Sequence, residues 1–239
     1  MKVLAIGNSF SEDATRYLHQ IAKADGTDLT VFNMYIGGCP LRRHYVNMLS
    51  DEKAYIIHFN GEAIPGLKFS LKEALMSNEW DIVTLQQVSC FSPDYKTYQP
   101  YLDALAEFVR KYAPQAKIYM HHVWAYADGS PLLEKYNFKS AKDMYEKGKK
   151  AYAKAAKAIH ADGIIHSGDA MQAALKKGVE KIHRDTYHAT YGFGRYLLGL
   201  VWYKTLTGNS VLENTLNEFD EPISEKEIAI AKEIAEKIK

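Results

Sequence analysis

Four apolar residues in a row, Val3 to Ile6, open the chain and stop at Gly7-Asn8-Ser9-Phe10-Ser11. A short unbroken run of that kind predicts a strand buried on both faces. From Ser11 the period changes. Ala14, Tyr17, Leu18, Ile21 and Ala22 recur at helical spacing and predict an amphipathic helix. Four more strand-like runs follow, at Leu29–Ile36, Trp80–Gln87, Lys117–Trp124 and Gly163–His166. Between them lie helical patterns at Ser70–Met76, at Tyr101 to Val109 before Pro114, and from about Ala141 to His160. Tyr191–Leu206 has the spacing of a buried helix, and Ser224-x-x-Glu227 is a capping box that opens a terminal helix.

This alternation predicts a three-layer α/β/α domain spanning residues 1–239, with helices on both faces of a mostly parallel, five-stranded sheet. Residues 39–67 break the rhythm. Tyr55, Ile57 and Phe59 alternate ahead of Asn60-Gly61, the signal of a tight hairpin turn, so this span is expected to be a hairpin or loop excursion near a cleft. In parallel sheets ligands collect beyond the carboxyl ends of the strands. Ser9, Gly38 and Gln87 all fall just past such ends and are expected to share one edge of the sheet.

Bulk properties narrow the function classes. The 239 residues are 47% hydrophobic and 25% charged, enough to build a core without disulfide staples. Thirty basic residues against 29 acidic ones leave a formal charge of +1, which gives no electrostatic reason to expect nucleic acid or an anionic membrane as partner. No apolar run approaches the roughly 18 residues of a membrane span. A native start at Met1 implies the cytoplasm, whereas removal of a signal peptide would imply a secreted or periplasmic protein. Cys39 and Cys90 are expected to be reduced thiols. The first strand lacks Gly-x-Gly-x-x-Gly and the chain has no phosphate loop, which argues against a nucleotide or flavin binder.

The candidate chemistry lies at two distant places. Ser9 sits on a strand-to-helix turn, where backbone N–H groups and the helix dipole favour negative charge. Asp185-Thr186-Tyr187-His188 sets a carboxylate and an imidazole three apart in a segment that does not read as helix. A nucleophile, a base and an orienting acid are the components of acyl-transfer catalysis. His121 and His122 are adjacent on a predicted strand, so their rings should point to opposite faces and no metal site is expected. Trp124 and Tyr126 are candidates for an aromatic sugar platform, and Arg42 for an acidic group on the substrate. Cys39 is a candidate cleft-wall residue, and the lysines between 147 and 157 read as a solvated helix face.

These motifs resemble the SGNH (GDSL-type) hydrolases. Gly7-Asn8-Ser9-Phe10-Ser11 resembles the first block of that family, and Ile36-Gly37-Gly38 the second, whose glycine N–H joins the oxyanion hole. Asp185 to His188 resembles the last block. The resemblance spans essentially the whole chain and is closest to a carbohydrate-esterase branch that begins Gly-Asn-Ser-Phe-Ser. It implies a flavodoxin-like sheet and a Ser9–His188–Asp185 triad. It also implies an oxyanion hole containing the Ser9 and Gly38 N–H groups, and no cofactor. The expected substrate is a short-chain, acetyl-type ester on a small molecule or oligosaccharide. One departure stands out. Where the family has an Asn after the third strand, this chain has Gln86-Gln87, so Gln87, or alternatively Gln86, is expected to donate in its place. The competing expectation is a noncatalytic carbohydrate- or ligand-binding domain on the same scaffold.

Overall fold

A computed structural model describes residues 1–238. In chain order the strands are β1 (Lys2–Gly7), β2 (Thr30–Tyr35), β3 (Tyr55–Phe59), β4 (Glu62–Phe69), β5 (Ile82–Leu85), β6 (Lys117–His121) and β7 (Gly163–Ile165). The helices are α1 (Ser9–Thr15), α2 (Leu18–Ala24), α3 (Leu41–Ser50), α4 (Leu71–Met76), α5 (Tyr101–Tyr112), α6 (Pro131–Lys135), α7 (Ala141–Ala158), α8 (Ser167–Lys176), α9 (Phe193–Thr207) and α10 (Glu225–Lys237).

All seven strands join one sheet in the order β4-β3-β2-β1-β5-β6-β7. The five from β2 to β7 pair in parallel and correspond to the five expected from the sequence. Counted alone they run 2-1-3-4-5, the flavodoxin-like order, whose switch point lies between β1 and β5. The expected count of five needs correction. The hairpin β3–β4 extends the sheet, because β3 pairs antiparallel along the free edge of β2, from Phe32↔Phe59 to Tyr35↔Ile56. Asn60 and Gly61 turn it with φ of 50° and 89°, and the left-handed pair matches the twist of the strands. Residues 39–67 therefore hold helix α3 and an edge hairpin of the same sheet.

The helices form two layers. α1, α2, α8, α9 and α10 pack together on one face, and α3, α4, α5 and α7 on the other. Val3 to Ile6 of β1 and every residue of β5 are buried, as central strands covered on both faces require. Helix α9 is buried nearly all round, in keeping with its largely apolar sequence. Strand β6 ends at His121, short of the expected Trp124, because its neighbour β7 has only three residues to pair with it. Beyond that point His122 to Tyr126 run buried past the sheet edge, where they meet the site.

Candidate active site

The site begins at the end of β1. Asn8 caps α1, its Oδ1 accepting the Phe10 N–H at 3.0 Å, which makes Ser9 the first helical residue. The turn is tight. A Cβ on Gly7 would lie 2.5 Å from Ser11 Oγ and 2.9 Å from the Gln86 side chain, so no larger residue fits. Asn8 Nδ2 donates to Cys39 O at 3.1 Å, which ties the Gly37–Gly38 turn beside Ser9. Gly38 has φ +59°, and among the described residues neither its N–H nor that of Ser9 has an acceptor.

His188 Nε2 lies 2.8 Å from Ser9 Oγ, and its Nδ1 lies 2.7 Å from Asp185 Oδ2. A neutral imidazole joining the two donates from Nδ1 to the carboxylate and accepts at Nε2 from the hydroxyl. Asp185 Oδ1 accepts the His188 N–H at 2.8 Å, so one carboxylate fixes both the ring and the backbone of its partner. Partial burial acts to raise the Asp185 carboxyl, but the hydrogen bonds from the His188 ring and backbone outweigh it and hold it below the usual carboxylate range. Thr186, between them, has φ +73°, a strained conformation for a β-branched residue. It is held by the Ala127 N–H donating to its carbonyl at 2.7 Å and by a hydroxyl contact to Ser130 at 2.9 Å.

Gln87 does not take the expected role of oxyanion donor. Its Oε1 accepts from the Leu41 and Val88 N–H groups at 3.0 and 2.9 Å, and its Nε2 donates to Thr97 O and Oγ1. That carboxamide caps the start of α3 and has no donor left for an oxyanion. Gln86 is engaged as well, its Nε2 donating to Asn8 Oδ1 at 2.8 Å and its Oε1 meeting His121 Nδ1 at 2.8 Å. His121 Nε2 in turn meets Ser167 Oγ at 3.0 Å, which completes a buried chain from α8 to the residue before the serine.

The aromatic candidates also move. Trp124 is 1% exposed, stacks on Phe10 at 4.3 Å and donates Nε1–H to Tyr187 O at 2.8 Å, so it braces the histidine loop from within rather than offering an open platform. Tyr126 is likewise buried, its hydroxyl 3.0 Å from Ser89 Oγ. Tyr187 is the ring that reaches the base, with its centroid 4.0 Å from that of His188. Arg42 lies exposed in the first turn of α3 and makes no hydrogen bond or ion pair with Ser9, Asp185 or His188. Cys39 is fully buried, and burial pushes its thiol up to about 12, which leaves it an inert wall.

Two acidic residues that no sequence motif marks also lie at the site. Asp13, one helical turn after Ser9, is fully buried. It accepts from Arg184 at 2.9 Å, from Arg195 Nε at 2.8 Å and from the Ala189 N–H at 3.1 Å. Glu12 lies three residues from Ser9, on the same face of α1. Among the described residues its carboxylate has no hydrogen bond, and His58 Nδ1 is 3.8 Å away. Desolvation, reinforced by the Asp13 charge, raises its carboxyl above the ordinary value. Only Asp13 had a usable signal, a charge on the buried side of an otherwise apolar helix face.

The class defined by this architecture is the SGNH-hydrolase fold. A candidate SGNH hydrolase from Slackia heliotrinireducens is similar over 86% of this chain and 98% of its own, with TM-score 0.61 and 22% identity. The acetyl xylan esterase AlAXEase is similar over 86% of this chain and all of its own, with TM-score 0.57 and 16% identity. The chain belongs to the family described as "Domain of unknown function (DUF4886)", whose pattern matches residues 2–238. A DUF4886 protein from Bacteroides uniformis is 33% identical, with TM-score 0.92, over 99% of this chain and 93% of its own. Comparison with curated protein sequences finds no match. Among the described residues no helix is long and apolar enough to cross a membrane.

Proposed function

We propose that this protein is a serine esterase that hydrolyses short-chain, acetyl-type esters carried on a carbohydrate. The observation that carries the reading is the unbroken line from Ser9 Oγ through His188 to Asp185, at 2.8 and 2.7 Å. His188 Nε2 takes the Ser9 proton as Oγ attacks the ester carbonyl, and Asp185 keeps the ring in the required tautomer and stabilises the imidazolium. The oxyanion is met by the Ser9 and Gly38 N–H groups, at about 3 kcal/mol per donor in acyl-transfer sites of this kind. Collapse breaks the ester C–O bond, and His188 returns the proton to the leaving alcohol. Water, activated by the same base, then releases the acid and regenerates Ser9. The resemblance to carbohydrate esterases supports the acetyl group and the sugar.

The commitment of Gln86 and Gln87 to other partners leaves two oxyanion donors rather than three, and favours a noncatalytic ligand-binding domain as the second reading. Hydrolysis of p-nitrophenyl acetate, butyrate and octanoate by wild type and Ser9→Ala separates the two. Turnover that is fastest on acetate and lost in the variant supports the esterase. Equal rates in both proteins support the binder.

A further inference from the structure

Where the start of α8 meets α7, on the side of β6 away from the His121 ring, three potential ligands converge. His122 follows the last residue of β6, His166 immediately precedes α8 without its side chain capping it, and Asp169 lies in the first turn of α8. One ligand atom from each lies within 4.8 Å of the others. His122 Nδ1 is 3.7 Å from Asp169 Oδ1 and His166 Nδ1 is 3.4 Å from Oδ2, yet neither nitrogen has a hydrogen-bond partner among the described residues. Both nitrogens are buried, and the His122 side chain is only 2% exposed. A buried polar atom left without a partner is destabilising, and two beside one carboxylate call for a common occupant.

We propose that His122, His166 and Asp169 bind a divalent transition-metal ion of the zinc class. Two imidazoles and one carboxylate are the ligand set such ions prefer, whereas magnesium and calcium favour all-oxygen shells. The cradle is shaped for the ring. A Cβ on Gly168 would sit 2.8 Å from His122 Cε1, so only glycine lets α8 close on this imidazole, and the Gly168 N–H donates to His122 O at 3.0 Å. Tyr145 donates to Asp169 Oδ1 at 3.0 Å and would orient the carboxylate from outside the coordination sphere. Lys149 Nζ lies 2.8 Å from Asp169 Oδ2. It is half exposed on a flexible stem and acts as the competing cation that an arriving ion displaces. A bound ion would fasten β6 to α8 with no part in the ester chemistry, so the site stands or falls independently of the esterase reading.

The test uses full-length, tag-free protein stripped with a chelator. Calorimetric titration with Zn²⁺ at neutral pH should show one ion per chain and a higher Tm, with Mg²⁺ giving neither, and Co²⁺ should produce visible d–d absorption. Because His122 is buried and its replacement threatens folding, His166→Asn and Asp169→Asn carry the assignment. Each should weaken Zn²⁺ by roughly 10- to 100-fold or more, while Lys149→Met should tighten it. Absence of saturable one-to-one uptake, or affinity unchanged in both ligand variants, overturns the proposal.

Discussion

Asp13 Oδ2 accepts the Ala189 N–H at 3.1 Å, so a residue one turn beyond Ser9 holds the residue that follows His188. The two chain segments that must meet for a serine–histidine pair are thereby joined through a third side chain, 176 positions away in sequence. Arg184 donates to both Asp13 and Ala189 O, and Arg195 links Asp13 to Asp220.

Asp13→Asn keeps the shape and removes the charge that two partly buried guanidinium groups share. Breaking a buried pair in this way costs about 3–5 kcal/mol. The expected result is a lower denaturation midpoint together with a lower kcat, because the histidine loop loses its tether to α1. Unchanged stability and turnover would show that the tether is dispensable.

Gln87→Ala should act on stability rather than chemistry. It leaves the Leu41 and Val88 N–H groups without their acceptor, at about 1–3 kcal/mol. Urea denaturation should detect the loss while kcat per folded molecule holds. A large fall in kcat with stability intact would return Gln87 to the oxyanion hole.

Glu12→Gln should be more stable than wild type at pH 7.5. A carboxyl raised above its unfolded value of 4.5 gives stability below that pH and loses it as pH rises through the folded pKa. The ionised Glu12 is therefore a liability at neutral pH that glutamine removes. The Tm gain should shrink at pH 4. A variant less stable than wild type at pH 7.5 would contradict the assignment.

His44 is fully buried against Tyr55, and desolvation pushes its pKa from 6.5 to about 3. Burial also lowers His58 and His183. The unfolded chain takes up these protons first as pH falls below about 6.5, so folded stability declines from there toward pH 3. Tm should drop between pH 7.5 and 5, and His44→Gln should flatten that slope. An identical Tm at both pH values would argue against buried neutral histidines.

The parallel sheet was readable in the sequence because its central strands are short apolar runs bounded by turns, and Ser9 and Asp185-x-x-His188 because each is a local motif at a strand or loop end. What escaped depends on side-chain direction or on distant partners. Strand alternation stops once β5 ends at Leu85, so nothing local says that Gln87 turns toward α3 while Gln86 turns toward Asn8. The hairpin at Asn60-Gly61 was visible, but its docking on β2 depends on an edge that only the assembled sheet defines. Trp124 and Tyr126 announce an aromatic cluster without saying that Phe10, Ser89 and the Tyr187 carbonyl consume it.

An activated Ser9 should be the residue that reacts with a fluorophosphonate, and mass-spectrometric mapping of the treated protein reads this out. The expected result is a single phosphonyl adduct on Ser9, absent from Ser9→Ala and strongly slowed in His188→Ala. No adduct, or an adduct on another residue that persists in Ser9→Ala, would contradict it.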